Sequence, residues 1–227
     1  MAGLAPDSVP AVVLGGGPNG LSFARSLGRR GVPVVLFEGT EGFVRHSRYA
    51  HVVSLAGPAL FGDQWVDALE RLAGCLPNGA VLFATNDTLV SRVARHEQSL
   101  ASSYRFVIPP SAVVERIVDK RRQYLFDQEQ GIPIPLTCFP SDRAEVEALR
   151  ATMPFPYILK PYESAPGRAV LGKKAIRADN ADELLTAFDR FATGPTKFMV
   201  QEFIPGDDDQ LSGISASGIA IVPSTAG

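Results

Sequence analysis

Residues 11–38, AVVLGGGPNGLSFARSLGRRGVPVVLFE, decide the architecture of the first half of the chain. Ala11 to Gly15 is a short apolar run that closes on glycines, Leu21, Ala24 and Leu27 recur at helical spacing toward Gly31, and Val34 to Phe37 is apolar again. A short apolar run, a 3.6-residue periodicity and a second short run spell a β-α-β unit. The alternation continues outward through His51 to Leu55, the amphipathic segment Asp63 to Leu72, the run Ala80 to Ala84 and a helix-like stretch after Asp87. Strands alternating with helices predict an α/β, Rossmann-like domain, a parallel sheet covered on both faces. Its end is expected near Pro109-Pro110.

The turn in this unit, Gly15-Gly16-Gly17-Pro18-Asn19-Gly20, matches GxGxxG between a strand and a helix, and Glu38 closes the next strand. Glycines let a backbone approach a phosphate, the helix N-terminus offers N–H groups to negative charge, and an acid after the second strand suits a ribose hydroxyl. One reading is therefore an FAD- or NAD(P)-dependent oxidoreductase built on Gly15–Gly20 and Glu38. The other is that a tight strand-to-helix turn needs glycine without any ligand. On that second reading Gly17 is expected to need a positive φ or a close helix approach, so that valine there harms folding more than binding.

After Ser111, SAVVERIVDKRRQYLFDQEQG sets Val114, Ile117 and Val118 on one face and continues through Tyr124, Leu125 and Gln128 to Gly131, which predicts two helices or one broken near Asp119. A proline-punctuated strand IPIPLTCF follows, then a helix capped by Ser141 with Glu145 as its partner, and a strand from Tyr157 to Lys160. A loop from Pro161 to Gly172, the strand KKAIR, the helix ADELLTAFDRF and the strand KFMVQEF complete this α+β portion. Residues 211–227 carry no charged side chain, an abrupt change after the acidic IPGDDDQ.

Composition bounds the partners. With 22 basic and 24 acidic side chains among 227 residues, the formal net charge of −2 gives no global field for nucleic acid or an anionic membrane. An anionic ligand must be held by local groups. The two cysteines, Cys75 and Cys138, lie far apart without a zinc-like pattern, which fits a reducing cytoplasm. The first ten residues lack a signal core, and no apolar run approaches the ~18 residues of a membrane span.

A second constellation is spread along the later half. Asp119-Lys120 opens a helix; FPYILKP (Phe155–Pro161) ends a strand in a lysine; the loop Glu163 to Gly172 holds Ser164, Gly167 and Arg168; GKKA (Gly172–Ala175) starts the return strand; and MVQEFIPG (Met199–Gly206) is an apolar strand leading to glycine and acids. In this order and spacing they resemble the ATP-grasp family, from about Ala11 to Gln210. ATND (Ala84–Asp87), FVIPP and VQEFIPG are similar to the carboxylate-amine ligases, D-aspartate ligase-like proteins among them, and more distantly to carbamoyl phosphate synthetase large chains.

The resemblance implies a pre-ATP-grasp domain over 1–110 and the first ATP-grasp subdomain with the start of the adenine segment over 111–210. It implies that Lys120 and Lys160 touch ATP phosphates, that the Ser164 to Gly172 loop closes over them, and that Lys174 assists. Adenine contacts fall on Gln201 or Glu202 and on the backbone of Phe203 and Ile204, while Glu202 and Asp209 match ribose-holding positions. Compact ammonium groups suit a polyphosphate, and an apolar strand with backbone hydrogen bonds suits a purine. The family's Mg²⁺ ligands are expected in a further subdomain beyond Gln210. This chain is accordingly expected to be incomplete and inactive by itself, either a ligase portion or a non-catalytic nucleotide-binding module. No residue is singled out as catalytic or as a metal ligand. The expected partners are small carboxylates and amines in the cytoplasm, without nucleic acid or membrane, with homo-oligomerisation open.

Overall fold

The computed structural model describes residues 8–39, 43–55, 64–149, 151, 155–162, 175–192 and 197–206. The expected β-α-β unit is there: β1 (Ala11–Leu14), α1 (Pro18–Gly28) and β2 (Val34–Glu38). Then come β3 (His51–Ser54), α2 (Gln64–Ala73), β4 (Ala80–Ala84), α3 (Asp87–Arg95), α4 (Glu97–Leu100) and β5 (Tyr104–Arg105). All pairings among these strands are parallel, in the order β3-β2-β1-β4-β5.

Every residue of β1 and β2 is buried because both faces of the sheet are covered, which is why these strands read as continuous apolar runs rather than as alternating ones. Val12, Leu14, Val35 and Phe37 pack against Trp65, Leu69 and Leu72 of α2 and Leu89 and Val93 of α3. Ala11, Val13, Val34 and Leu36 pack on the opposite face with Leu21, Ala24 and Leu27 of α1.

Helix α1 ends at Gly28, earlier than the spacing toward Gly31 implies. Asn86 caps α3, its side chain accepting from the Leu89 N–H at 3.0 Å.

The glycine-rich turn needs its glycines, but not where expected. Gly15 has φ +99°, and a Cβ there would run into the Thr85 hydroxyl, which donates to the Leu14 carbonyl at 2.8 Å. A Cβ on Gly16 would strike the Glu38 carboxylate, and one on Gly20 the Gly15 carbonyl oxygen. Gly17, by contrast, has φ −67°, and a Cβ there would meet nothing within 4 Å. It is the N-cap of α1 ahead of Pro18, so the expected constraint is absent and the expectation for that residue is corrected.

In the second half, α5 (Ser111–Val118) and α6 (Lys120–Glu129) are indeed two helices, divided at Asp119. The Asp119 side chain caps α6 by accepting from the Arg122 N–H at 3.1 Å. Of the apolar face read on α5, Val114 is buried but Ile117 is exposed. Helix α5 joins α3 through Arg95 Nε to Glu115 at 3.3 Å, and Arg122 at the start of α6 reaches the same carboxylate at 3.5 Å. A cleft of about 420 Å³ opens among these three helices.

The remaining elements are β6 (Thr137–Cys138), α7 (Arg143–Leu149), β7 (Tyr157–Pro161), β8 (Ile176–Ala178), α8 (Ala181–Ala192) and β9 (Phe198–Glu202), with an antiparallel sheet in the order β6-β9-β7-β8. Only Thr137–Cys138 of IPIPLTCF pairs as strand, since its prolines cannot donate to a ladder. The α7 cap lies one residue later than read. Asp142 accepts from the Glu145 N–H at 2.8 Å, while the Glu145 carboxylate reaches back to the N–H and hydroxyl of Ser141. One face of the sheet, Tyr157, Leu159, Ala178, Phe198 and Val200, forms a core with Val146 and Leu149 of α7 and Leu184, Ala187 and Phe188 of α8.

Candidate functional site

The candidate site lies on the sheet face turned away from α7 and α8. Alternation along a strand sends Leu159 into the core and Lys160 to the other side. Lys160 stands opposite Met199 in the β7–β9 ladder, and Gln201, two residues on, shares its face; Thr137 of β6 stands opposite Gln201. The Lys160 ammonium donates to Gln201 Oε1 at 2.7 Å, and Gln201 Nε2 donates to Thr137 Oγ1 at 2.8 Å. Gln201 is only 3% exposed. Its side chain is thus committed to Lys160 and Thr137, leaving its contribution to any ligand to act through the lysine.

Lys120 comes to the same place from α6. Its N–H donates to the carbonyl of Tyr162, the residue after β7, at 3.2 Å, so the Asp119-Lys120 pair both caps the helix and ties its start to the end of the Lys160 strand. Burial first, and then the positive charge of Lys120, push the Lys160 ammonium below the ordinary lysine range. The charged form of Lys160 is disfavoured by folding, so its effect on stability is a penalty below the folded-state pKa, relieved as pH rises through that value toward the unfolded one. An anion between the two lysines reverses the sign by stabilising both charges.

Lys120→Met should therefore raise the Lys160 titration midpoint, as read from the pH dependence of its side-chain NMR signals. An unmoved midpoint would show that the two cations do not share one site.

The purine-like segment continues past β9. Glu202 is anchored to the chain preceding β6: its N–H donates to the Leu136 carbonyl at 2.9 Å, and its carboxylate accepts from the Leu136 N–H at 2.8 Å. The Phe203 N–H donates to Pro156 O at 3.1 Å, and the Arg177 guanidinium lies over the Phe203 ring, 4.5 Å from its centroid. Among the described residues no acceptor meets the Ile204 N–H, and its side chain is 60% exposed. This apolar ledge with an open backbone donor can offer a purine a stacking edge and one hydrogen bond. Ser164, Gly167, Arg168, Lys174 and Asp209 lie outside the described residues. Thr137 and Arg177 were not picked out by the sequence reading, and only the register of the sheet reveals them.

The glycine-rich turn looks different. Glu38 is 1% exposed and accepts from Arg45 Nε at 3.0 Å. A ribose seeking that carboxylate would have to displace a buried ion-paired partner. Asn19 Nδ2 donates to Thr85 O at 3.0 Å, so the turn is also fastened to the end of β4. Gly15, Gly16 and Gly20 of the turn are accounted for by contacts within the chain. Among the described residues, no group of three or more His, Cys, Asp or Glu side chains could hold a metal ion, and no helix is long and apolar enough to cross a membrane.

Solved structures share the fold. N5-carboxyaminoimidazole synthetase from Staphylococcus aureus, complexed with ADP, superposes with a TM-score of 0.64 at 16% identity, covering 86% of this chain and 48% of that one. L-amino acid ligase from Bacillus licheniformis gives 0.61 at 17% identity, covering 86% and 46%. The biotin carboxylase domain of Hydrogenobacter thermophilus 2-oxoglutarate carboxylase, solved with MgADP, ADP and bicarbonate, gives 0.60 at 17%, covering 87% and 45%. These are ATP-grasp enzymes, and the chain has the fold of their N-terminal portion. In sequence it is similar to D-aspartate ligase of Enterococcus faecium, 27% identical over 144 residues that make up 60% of this chain and 34% of that ligase. No family model matches the chain. It spans about a third of the length of that relative and about half that of the solved structures.

Proposed function

We propose that this chain forms the ATP-binding side of an ATP-dependent carboxylate-amine ligase, with Lys120 and Lys160 on the polyphosphate and the Phe203–Ile204 backbone on adenine. The observation that carries this reading is the meeting of the start of α6 with the end of β7, where the Lys120 N–H donates to Tyr162 O beside Lys160 and the charge of Lys120 opposes that of Lys160. Two cations brought together at a half-buried site raise each other's cost unless an anion lies between them. A triphosphate satisfies both, and the ledge at Phe203 and Ile204 follows β9, the strand paired with that of Lys160.

The reading extends to Ser164, Gly167 and Arg168 as a loop over the phosphates, to Lys174 as an assisting cation, and to Glu202 and Asp209 as acceptors for ribose hydroxyls. It takes residues 1–110 as a pre-ATP-grasp domain and 111–210 as the first ATP-grasp subdomain with the start of the adenine segment. ATP supplies a phosphoryl group that turns a poor electrophile, the substrate carboxylate, into a good one for attack by an amine. The chain's own residues bind and orient: the lysines hold charge where the phosphates lie, and the sheet keeps water from one side of them. The similarity to D-aspartate ligase and to L-amino acid ligase favours an amino acid as one substrate. Mg²⁺ belongs to this chemistry, though no described residue is assigned to it, and a cytosolic location is part of the proposal.

Calorimetric titration with ADP, inorganic triphosphate, NAD and FAD tests the reading. ADP is expected to bind and triphosphate to compete with it, with no heat from NAD or FAD. Binding of FAD or NAD in preference to ADP would return the function to the glycine-rich turn.

A further inference from the structure

We infer that Thr137 and Gln201 are positioning residues that hold the Lys160 ammonium through a one-directional, charge-neutral hydrogen-bond chain, leaving its full positive charge for a polyphosphate. This rests on the reading of Lys160 as the phosphate contact. The chain begins at the Pro135 carbonyl, which can only accept and receives the Thr137 hydroxyl proton at 2.7 Å. With that proton committed, Thr137 Oγ1 can only accept from Gln201, so the Gln201 atom facing it at 2.8 Å is the NH₂ group. The other end of the amide is then an oxygen, and it meets the Lys160 ammonium, a group with no acceptor, at 2.7 Å. Each end fixes the amide the same way round. A flipped amide would set donor against donor at Lys160 and leave two oxygens facing each other at Thr137.

Neutrality has a consequence. A carboxylate at position 201 would hold the lysine as well or better, but it would cancel one of the two positive charges at the site. A side-chain amide fixes position without cancelling charge. The nearly complete burial of Gln201 excludes water as a competing partner, so the direction of the chain passes undiluted from Pro135 to Lys160. Among the described residues, Lys120 is the charged group that acts on Lys160 from a neighbouring element, and it opposes protonation, which the Gln201 oxygen supports.

The test follows Lys160 Nζ and Cε by NMR through a pH titration in the full chain, with Thr137→Val, Thr137→Ser and Gln201→Glu, alongside calorimetry with inorganic triphosphate. Gln201→Glu should raise the Lys160 midpoint by on the order of one pH unit and weaken triphosphate several-fold. Thr137→Val, which frees the amide to flip, should lower the midpoint, and Thr137→Ser should restore it. A purely structural role for Thr137 would lower thermal stability without moving the lysine. An unchanged midpoint in both Thr137→Val and Gln201→Glu overturns the inference, and so does failure of serine to restore what valine shifts. If Gln201→Glu does not fold, the valine-serine pair decides. Midpoints that move as expected while wild-type chain ignores triphosphate would retain the hydrogen-bond chain and remove the nucleotide reading.

Discussion

Replacing Lys160 by methionine is expected to weaken binding of ADP or inorganic triphosphate by about ten- to a hundredfold while changing adenosine affinity less than twofold. A hydrogen bond to a charged group contributes about 1.5–3 kcal/mol, and methionine keeps the length and apolar stem of lysine while deleting only the ammonium. The substitution also leaves Gln201 Oε1 without its donor in a buried setting, which costs about 1–2 kcal/mol of stability. Thermal melts separate that loss from the loss of binding. Equal weakening of adenosine and ADP would mean that Lys160 supports the fold of the site rather than the phosphates.

The largest effect on stability is expected at Gly20. Valine there would drive a Cβ into the Gly15 carbonyl, and Gly15 cannot retreat: its N–H is bonded to the Phe37 carbonyl at 2.8 Å and its φ is +99°. Overpacking against backbone should cost about 3 kcal/mol or more, enough to unfold much of a marginally stable domain. Gly17→Ala is the matched control in the same turn. Its φ is ordinary and its surroundings are open, so the change should lie within about 0.5 kcal/mol of neutral. Urea denaturation of both variants provides the comparison. Similar destabilisation at the two positions would show that the turn is constrained as a whole and not by the particular contacts of Gly20.

Much of the fold could be read from residues alone, and the failures have physical causes. The first sheet was legible because strands buried on both faces are continuously apolar, as in Val12–Leu14 and Val34–Phe37. The break at Asp119 was legible because an acid that caps one helix ends another. What could not be read depended on partners distant in sequence or on one-residue geometry. The buried role of Glu38 depends on Arg45, whose direction no periodicity gives. Ile117 carries the spacing of a core face yet is exposed, although α5 touches both α3 and α6. The α7 cap moved from Ser141 to Asp142 because both residues can cap, and the backbone chooses between them.

The candidate site was half legible. Lys120 and Lys160 stand out beside a helix start and a strand end, and the Lys120 backbone is bonded to Tyr162, just after the Lys160 strand. Gln201 was read as a residue for adenine, but its burial and its bonds to Lys160 and Thr137 emerge only from the register in which β6, β9 and β7 pair. Thr137 sits in a proline-rich segment that offers no sign of being next to a lysine. A hydrogen-bond direction that passes through four residues from three strand segments has no sequence signature.

The nucleotide is proposed to lie at Lys120, Lys160 and the Phe203–Ile204 backbone, not over the glycine-rich turn. Titrating isotope-labelled chain with ADP while following backbone amides and lysine side chains measures this most directly. The expected result is that the largest shifts fall on Lys120, Lys160, Phe203 and Ile204, with Gly15–Gly20 unmoved. Shifts concentrated at Gly15–Gly20 and Glu38, with the two lysines silent, would contradict it.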